Sequence, residues 1–311
     1  MSLNQAAFVF PGQGSQYVGM GKDLFETHSI VRATFRVADE ILFEVSQLCF
    51  DGPEEELNQT NNTQVCIFTL NCAIFFLLVE NGFIPQIVAG HSLGEYSALV
   101  AAKVISFEEG LKLIRKRAEL MDKAAKSSSG KMLAVLGLEA EKVREIVESL
   151  KNKGIIEVAN YNCPGQTVIS GDKEAVDQAK GVFENAGAKK VVGLKVSGGF
   201  HSPLMTEAEE KFEKFLKRFR FEKAAIPVVS NVTAQATNEP DLLKKALSRQ
   251  ITGSVRWEQS IYEMLKNGAA TFIEVGPGKV LSGLIKRTAG NHSVFNVENL
   301  DTFNKFLKVF G

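Results

Sequence analysis

The sequence predicts an α/β fold with a mainly parallel sheet, plus a smaller inserted domain of βαββαβ order. Three observations carry this reading. Strand-like apolar runs alternate with helical ones along the 311 residues, the pattern of a parallel sheet flanked by helices. An apolar run meets a helix-forming run through Gly90-His91-Ser92-Leu93-Gly94. Between residues 128 and 196 the simple alternation gives way to a different order. The length suits a large core and a second domain.

The first strand is 7–10. The apolar run 84–89 reads as a buried strand, with 87–89 in the sheet, and 95–103 is rich in helix formers. Further sheet strands are 227–230 and 271–275. Several end in glycine or polar turns, where the active sites of open parallel sheets lie. Ser127-Ser128-Ser129-Gly130 is a flexible junction. After it come strand 131–136, helix 140–151, strands 155–160 and 166–170, helix 173–186 and strand 190–196. That order is ferredoxin-like. The division is therefore 1–127 with 197–311 for the large domain and 128–196 for the insert, with the site in the cleft between them.

Composition narrows the class. The chain has 36 basic and 36 acidic residues, a formal net charge of zero, which argues against nucleic acid as the main partner. Cys49, Cys66, Cys72 and Cys163 show neither a C-x-x-C pair nor metal-ligand spacing. They read as reduced, buried thiols, with no metal site. No basic leader precedes a long apolar run, and the longest apolar stretch, 73–79, is too short to span a bilayer. The expectation is a soluble cytoplasmic protein. The 22 phenylalanines read as core filling.

Glycines two residues either side of Ser92 permit a sharp strand-to-helix turn. Such a turn lifts the hydroxyl into a strained, exposed position at a helix N-terminus, which makes it a candidate nucleophile. A serine nucleophile needs a base. His201 lies in Ser197-Gly198-Gly199-Phe200-His201-Ser202-Pro203, where Ser202 and Pro203 read as N-cap and first helical residue. The helix dipole there disfavours imidazolium. His28 and His292 read as surface residues. His91 adjoins Ser92 and cannot face it across a tight turn, so it is kept only as a lining residue. Asp172 and Glu274 come nearest in style to a triad acid. Neither is compelling, so the reading is a histidine oriented by backbone carbonyls or an amide, that is, a Ser-His dyad.

The helix 111–125 carries a charge on its apolar side. At about 100° per residue, Leu113, Ile114, Ala118, Leu120, Met121, Ala124 and Ala125 share one half of the wheel, and Arg117 lands among them. Lys112, Arg115, Lys116, Glu119 and Lys123 take the other half. A buried guanidinium needs an anionic partner. That partner is either a protein acid or the carboxylate of a bound acyl group, held by two parallel hydrogen bonds. The turn Pro11-Gly12-Gln13-Gly14-Ser15-Gln16 lacks the third glycine of a dinucleotide fingerprint and a Walker lysine. Either it is a plain tight turn, or the Gln13 N–H joins that of Leu93 as an oxyanion donor.

Taken together, these residues resemble the malonyl-CoA:acyl carrier protein transacylases, the acyltransferases that load fatty-acid and polyketide synthases. The resemblance runs nearly end to end. It includes the Phe10–Gln16 and Gly90–Tyr96 motifs, Arg117 with Met121, Asn160-Tyr161-Asn162 with Gln166, Gly199-Phe200-His201-Ser202-Pro203 and Glu274-Val275-Gly276-Pro277-Gly278. It implies a hydrolase-like α/β domain with a ferredoxin-like insertion, Ser92 as acyl-accepting nucleophile and His201 as base. It further implies Gln13 and Leu93 as oxyanion donors, Arg117 as the grip on the malonyl carboxylate, and a backbone carbonyl near Gln250 holding His201. His91, Phe200, Asn160, Asn162 and Gln166 would line the substrate. Phenylalanine before the active histidine resembles the malonyl-selective pattern; methylmalonyl-selective relatives usually carry serine there. The implied reaction moves malonyl from malonyl-CoA to the phosphopantetheine thiol of acyl carrier protein. No resident cofactor is implied, and family members are commonly monomers. The alternatives are a stand-alone acyltransferase serving a polyketide synthase, or a serine thioesterase or esterase. Lys189, Lys190, Lys195 and the basic stretch 211–220 are candidates for docking an acidic carrier.

Overall fold

A computed structural model describes residues 5–311. Strand β1 (Ala6–Phe10) leads through α1 (Lys22–Thr27), α2 (Ser29–Leu42), α3 (Val45–Phe50) and α4 (Glu54–Leu57) to the long helix α5 (Thr60–Glu80). Then come β2 (Ile87–Gly90), α6 (Gly94–Ala101) and α7 (Phe107–Ser127). A second sheet follows in β3 (Gly130–Leu136), α8 (Ala140–Leu150), β4 (Ile156–Cys163), β5 (Gln166–Asp172), α9 (Lys173–Asn185) and β6 (Lys190–Gly193). The chain closes with α10 (Thr206–Leu216), β7 (Val228–Val229), β8 (Ala236–Thr237), α11 (Pro240–Arg249) and α12 (Trp257–Lys266), then β9 (Thr271–Val275), α13 (Val280–Ala289), β10 (Ser293–Val297) and α14 (Leu300–Phe310).

The larger sheet has the order β10-β9-β1-β2-β7-β8. All its pairings are parallel except β7 with β8. In β1, Ala6, Phe8 and Phe10 pack on one face of the sheet while Ala7 and Val9 pack on the other, as the two-residue period of a strand covered on both sides requires. The smaller sheet has the order β4-β5-β3-β6 and is antiparallel throughout. Its outer core, which includes Val143, Ile146, Val176, Phe183 and Ile169, packs beneath α8 and α9. This is the α/β architecture with a ferredoxin-like unit read from the sequence.

Several details differ from the sequence reading. Strand β2 starts at Ile87, and Ile84 is 62% exposed, because Pro85 interrupts the run before it reaches the sheet. Strand β6 ends at Gly193, and beyond it Leu194 and Val196 line the cleft. Helix α5 spans 21 residues at a mean hydropathy of 1.8, enough by composition to cross a membrane. Its Thr, Asn and Gln residues break the strictly apolar runs, yet the Ile, Leu, Phe, Val and Cys between them keep the mean high. It lies in the centre of the core, buried along both sides, which makes it a core helix. His28 is half-buried, its ring set edge-on against Phe303 at 5.3 Å; His292 is exposed. The basic stretch 211–220 is laced with acids: Lys211, Lys217 and Arg220 pair with Glu207, Glu213 and Glu222. A mixed-charge face of this kind is a weak electrostatic dock.

The smaller sheet joins the large domain where β4 meets the loop after α11. The Tyr161 N–H donates to the Val255 carbonyl at 2.9 Å, and the Val255 N–H donates to Ala159 O at 2.8 Å. The β2–α6 turn is pressed against β1. A Cβ on Gly94 would collide with the carbonyl oxygen of Phe10, and one on Gly90 with the backbone of Gly94. Gly94→Ala is therefore expected to destabilise the fold by at least ~2 kcal/mol, because no flexible side chain is there to give way. Gly181→Ala, on α9 with open space around it, should stabilise by about 0.5–1 kcal/mol through helix propensity. Urea unfolding of both variants checks the contrast; equal midpoints would refute the tight approach at Gly94.

Candidate active site

Ser92 stands where β2 turns into α6, with φ 50°. Positive φ is strained for a residue with a Cβ and is sustained only by its surroundings. Here the Ser92 N–H donates to Asn231 Oδ1 at 2.7 Å and its carbonyl accepts from Gln250 Nε2 at 2.9 Å. The Asn231 Nδ2–H also donates to the Gly90 carbonyl at 2.6 Å.

His201 Nε2 lies 2.8 Å from Ser92 Oγ. Its Nδ1–H points at two backbone carbonyls, Gln250 O at 2.8 Å and Gly253 O at 3.1 Å. Two carbonyls can only accept, so Nδ1 carries the proton and Nε2 presents a lone pair to the serine hydroxyl. His201 also has a positive φ of 56°. Ser202 caps the short 3₁₀ turn Pro203–Met205 through Leu204 N–H, as its sequence reads. The neutrality of the imidazole has a different cause from the helix dipole invoked there. Burial pushes its pKa down to about 3, with the Arg117 charge adding to the effect. Neither Asp172 nor Glu274 touches it. The Asp172 carboxylate accepts from Ile155 N–H. Glu274 accepts from the Leu281 and Ser282 N–H groups and from the Ser282 hydroxyl, at the start of α13.

Arg117 is 1% exposed. Its hydrogen-bond acceptors are all neutral: Gln64 Oε1 at 2.7 Å, Ser92 Oγ at 2.9 Å and Gln250 Oε1 at 3.0 Å. Its guanidinium also lies 5.6 Å from the centre of the Tyr96 ring, a cation–π contact. The Nε–H has no partner. The cation is thus buried beside the candidate nucleophile with donor capacity to spare.

The cleft around them encloses about 280 Å³, room for a short acyl thioester rather than for a large ligand. Phe200, Met121, Met132, Val168 and Leu284 form its apolar walls, and Gln13, Leu93, Asn160, Asn162 and Gln166 also line it. Among the described residues, the backbone N–H groups of Gln13 and Leu93 make no hydrogen bond. His91 Nε2 lies 3.0 Å from Asn162 Oδ1, and its ring is set edge-on to Trp257. It lines the cleft, its ring hydrogen-bonded to Asn162 and not to Ser92, and burial lowers its pKa. Gln166 sits at the rim, its Oε1 accepting from Arg287 Nη2 at 2.7 Å.

Four groups at the site went unread in the sequence: Gln64, Asn231, Glu95 and the side chain of Gln250. Asn231 had a local signal, standing just past a strand in a parallel sheet. Gln64 had a weaker one, as an amide opening the apolar stretch of α5. Glu95 and the Gln250 amide had none, because their partners come from distant segments.

Comparison with known proteins gives a consistent result. The family described as acyl transferase domain matches residues 7–302. The chain is 44% identical over 287 residues to the malonyl CoA-acyl carrier protein transacylase of Bacillus subtilis, covering 92% of this chain and 90% of that protein. It is 41% identical over 301 residues to the Staphylococcus aureus protein of the same name, covering 96% and 97%. An acyl carrier protein S-malonyltransferase from Vibrio cholerae superposes with a TM-score of 0.95 at 40% identity, over 97% of this chain and all of that one. A malonyl-transacylase in complex with a type II PKS acyl-carrier protein gives 0.95 at 37% identity, over 98% of this chain and all of that one.

Because its pKa is depressed, His201 should stay neutral from pH 8 down to pH 5, whereas an ordinary histidine is half-protonated near 6.5. NMR titration of its ring protons should show no inflection in that range. An inflection near 6.5 would mean that the imidazole is exposed.

Proposed function

Since the chain belongs to the acyl transferase domain family, among the malonyl CoA-acyl carrier protein transacylases, we propose that it moves a malonyl group from malonyl-CoA to the phosphopantetheine thiol of an acyl carrier protein. The observation that carries the choice of acyl group is Arg117, a buried cation with only neutral acceptors, 2.9 Å from Ser92 Oγ.

In this reading His201 Nε2 accepts the Ser92 proton as Oγ attacks the thioester carbon. The N–H groups of Gln13 and Leu93 hold the oxyanion that forms. The carbon–sulfur bond breaks, the CoA thiolate takes the proton back from His201, and malonyl remains on Ser92 as an ester. The carrier thiol then gives its proton to His201, attacks the ester and leaves with the malonyl group, while Ser92 recovers its proton. Arg117 grips the malonyl carboxylate, so the remote end of the acyl chain orients the reacting carbonyl. This scheme uses no resident cofactor: CoA arrives and leaves as substrate, and the pantetheine arm belongs to the partner.

Fatty-acid synthesis is the proposed pathway and the cytoplasm the proposed location, in keeping with four free, buried cysteines. The neighbour solved with a PKS carrier protein supports one second reading, the same reaction serving a polyketide carrier. A panel of purified carriers of both kinds separates the two by relative rate.

Ser92→Ala should leave no acyl adduct by intact mass after incubation with malonyl-CoA; an adduct of unchanged yield would reject the nucleophile. Arg117→Ala removes charge-assisted hydrogen bonds together worth about 3 kcal/mol, so malonyl kcat/KM should fall on the order of a hundredfold. Acetyl-CoA should lose far less. An unchanged malonyl-to-acetyl preference would reject Arg117 as the carboxylate ligand.

A further inference from the structure

The two amides that grip the Ser92 main chain share a third partner. Glu95 Oε2 accepts from Gln250 Nε2 at 2.6 Å and from the Asn231 N–H at 3.3 Å. Glu95 sits in the first turn of α6, three residues after the serine, and is 1% exposed. A buried carboxylate without an ion-pair partner is costly to keep. Burial pushes its pKa up to about 7, against the pull of the Gln250 amide, the Asn231 N–H and the charge on Arg117.

The chemistry of the groups fixes the direction of the Gln250 amide. Its NH₂ end donates to Ser92 O and to Glu95, and its oxygen accepts from Arg117 Nη2. A carboxylate and a carbonyl can only accept, and a guanidinium can only donate. Turning the amide over would set NH₂ against the guanidinium and oxygen against two acceptors. Glu95 thus anchors the same NH₂ end of Gln250 that Ser92 O holds, leaving the amide oxygen to Arg117, and when ionised it offsets the Arg117 charge across a neutral amide.

We propose that Glu95 is a positioning residue for the transfer: through Gln250 it sets the direction of Arg117, and so the preference for an acyl group that bears a carboxylate. This rests on the reading of Arg117 as ligand of the malonyl carboxylate. A carboxylate that only stabilised the turn would, when removed, slow every acyl group alike. A positioning residue changes the ratio between them.

Glu95→Gln keeps the volume but removes the negative charge, so the charge-assisted bond from Gln250 Nε2 becomes a weaker neutral one and the hold on the Gln250 amide beside Arg117 loosens. Rates of acyl-Ser92 formation with malonyl-CoA and with acetyl-CoA, read by intact mass, give the ratio for wild type and variant. Wild type is the control: if it forms no malonyl adduct, the transfer reading itself fails, whatever Glu95 does. Given that adduct, the malonyl-to-acetyl ratio of Glu95→Gln should fall at least fivefold. Any smaller fall overturns the proposal. If Glu95→Gln does not fold, as judged by circular dichroism, Glu95→Asp carries the same test and the same threshold: it keeps the charge but is one methylene shorter and draws back from Gln250 Nε2, while Gln250 keeps its own bonds to Arg117 and Ser92.

Discussion

The site is organised by a guanidinium buried without an ion-pair partner. Arg117 is among the largest fully buried side chains of the protein, and nearby groups are arranged around its charge. Gln64 and Gln250 turn amide oxygens toward it, and Tyr96 presents a ring face. Ser92 accepts a hydrogen bond from it. Its field helps keep His201 neutral, because a second cation close by in a dry cleft is unfavourable. The neutrality of His201 and the orientation of the Ser92 hydroxyl thus both draw on one residue, and in the proposed reaction the acyl preference does too. Its position was fixed by where it falls on the wheel of α7.

The second constraint is conformational. Ser92 and His201 both have positive φ, and strain of that kind needs a rigid frame. For Ser92 the frame is the glycine backbone of Gly90 and Gly94 pressed against β1, with Asn231 and Gln250 holding the serine's own polar groups. For His201 it is the pair of carbonyls at Gln250 and Gly253. The fragments come from β2, from the loop after β7 and from the end of α11. The geometry of Ser92, the proposed nucleophile, is therefore secured by tertiary contacts as much as by its own turn.

This explains which parts of the site were legible in the sequence. Ser92 was readable because flanking glycines are a local signature, and Arg117 because helical periodicity is local too. His201 was readable as a histidine in a glycine-rich loop. The reason for its neutrality was misread, since burial and the Arg117 charge are properties of the packed site. Asn231, Glu95 and the Gln250 amide act through partners on average more than a hundred residues away, which periodicity and spacing do not reveal. The same division holds for the fold. The alternation of β and α and the βαββαβ order followed from pattern. The start of β2, the end of β6 and the burial of α5 were settled by contacts with other segments.

The lack of a triad acid follows from the same charge arrangement. Gln250 offers its backbone carbonyl to His201 and its side-chain oxygen to Arg117, at 2.8 and 3.0 Å. A carboxylate placed to orient the histidine would therefore stand next to the guanidinium. It would pair with Arg117 and, in the proposed reaction, weaken the cation's attraction for the acyl carboxylate, exchanging selectivity for a stronger base. Neutral carbonyls orient the imidazole without that competition. Among the described residues the acid that does approach, Glu95, is held one amide further out. There it can balance the cation and fix Gln250 without occupying the N–H groups that an incoming carboxylate would use. On this argument, a dyad is the arrangement that lets the same cleft hold both a neutral base and a cation reserved for substrate.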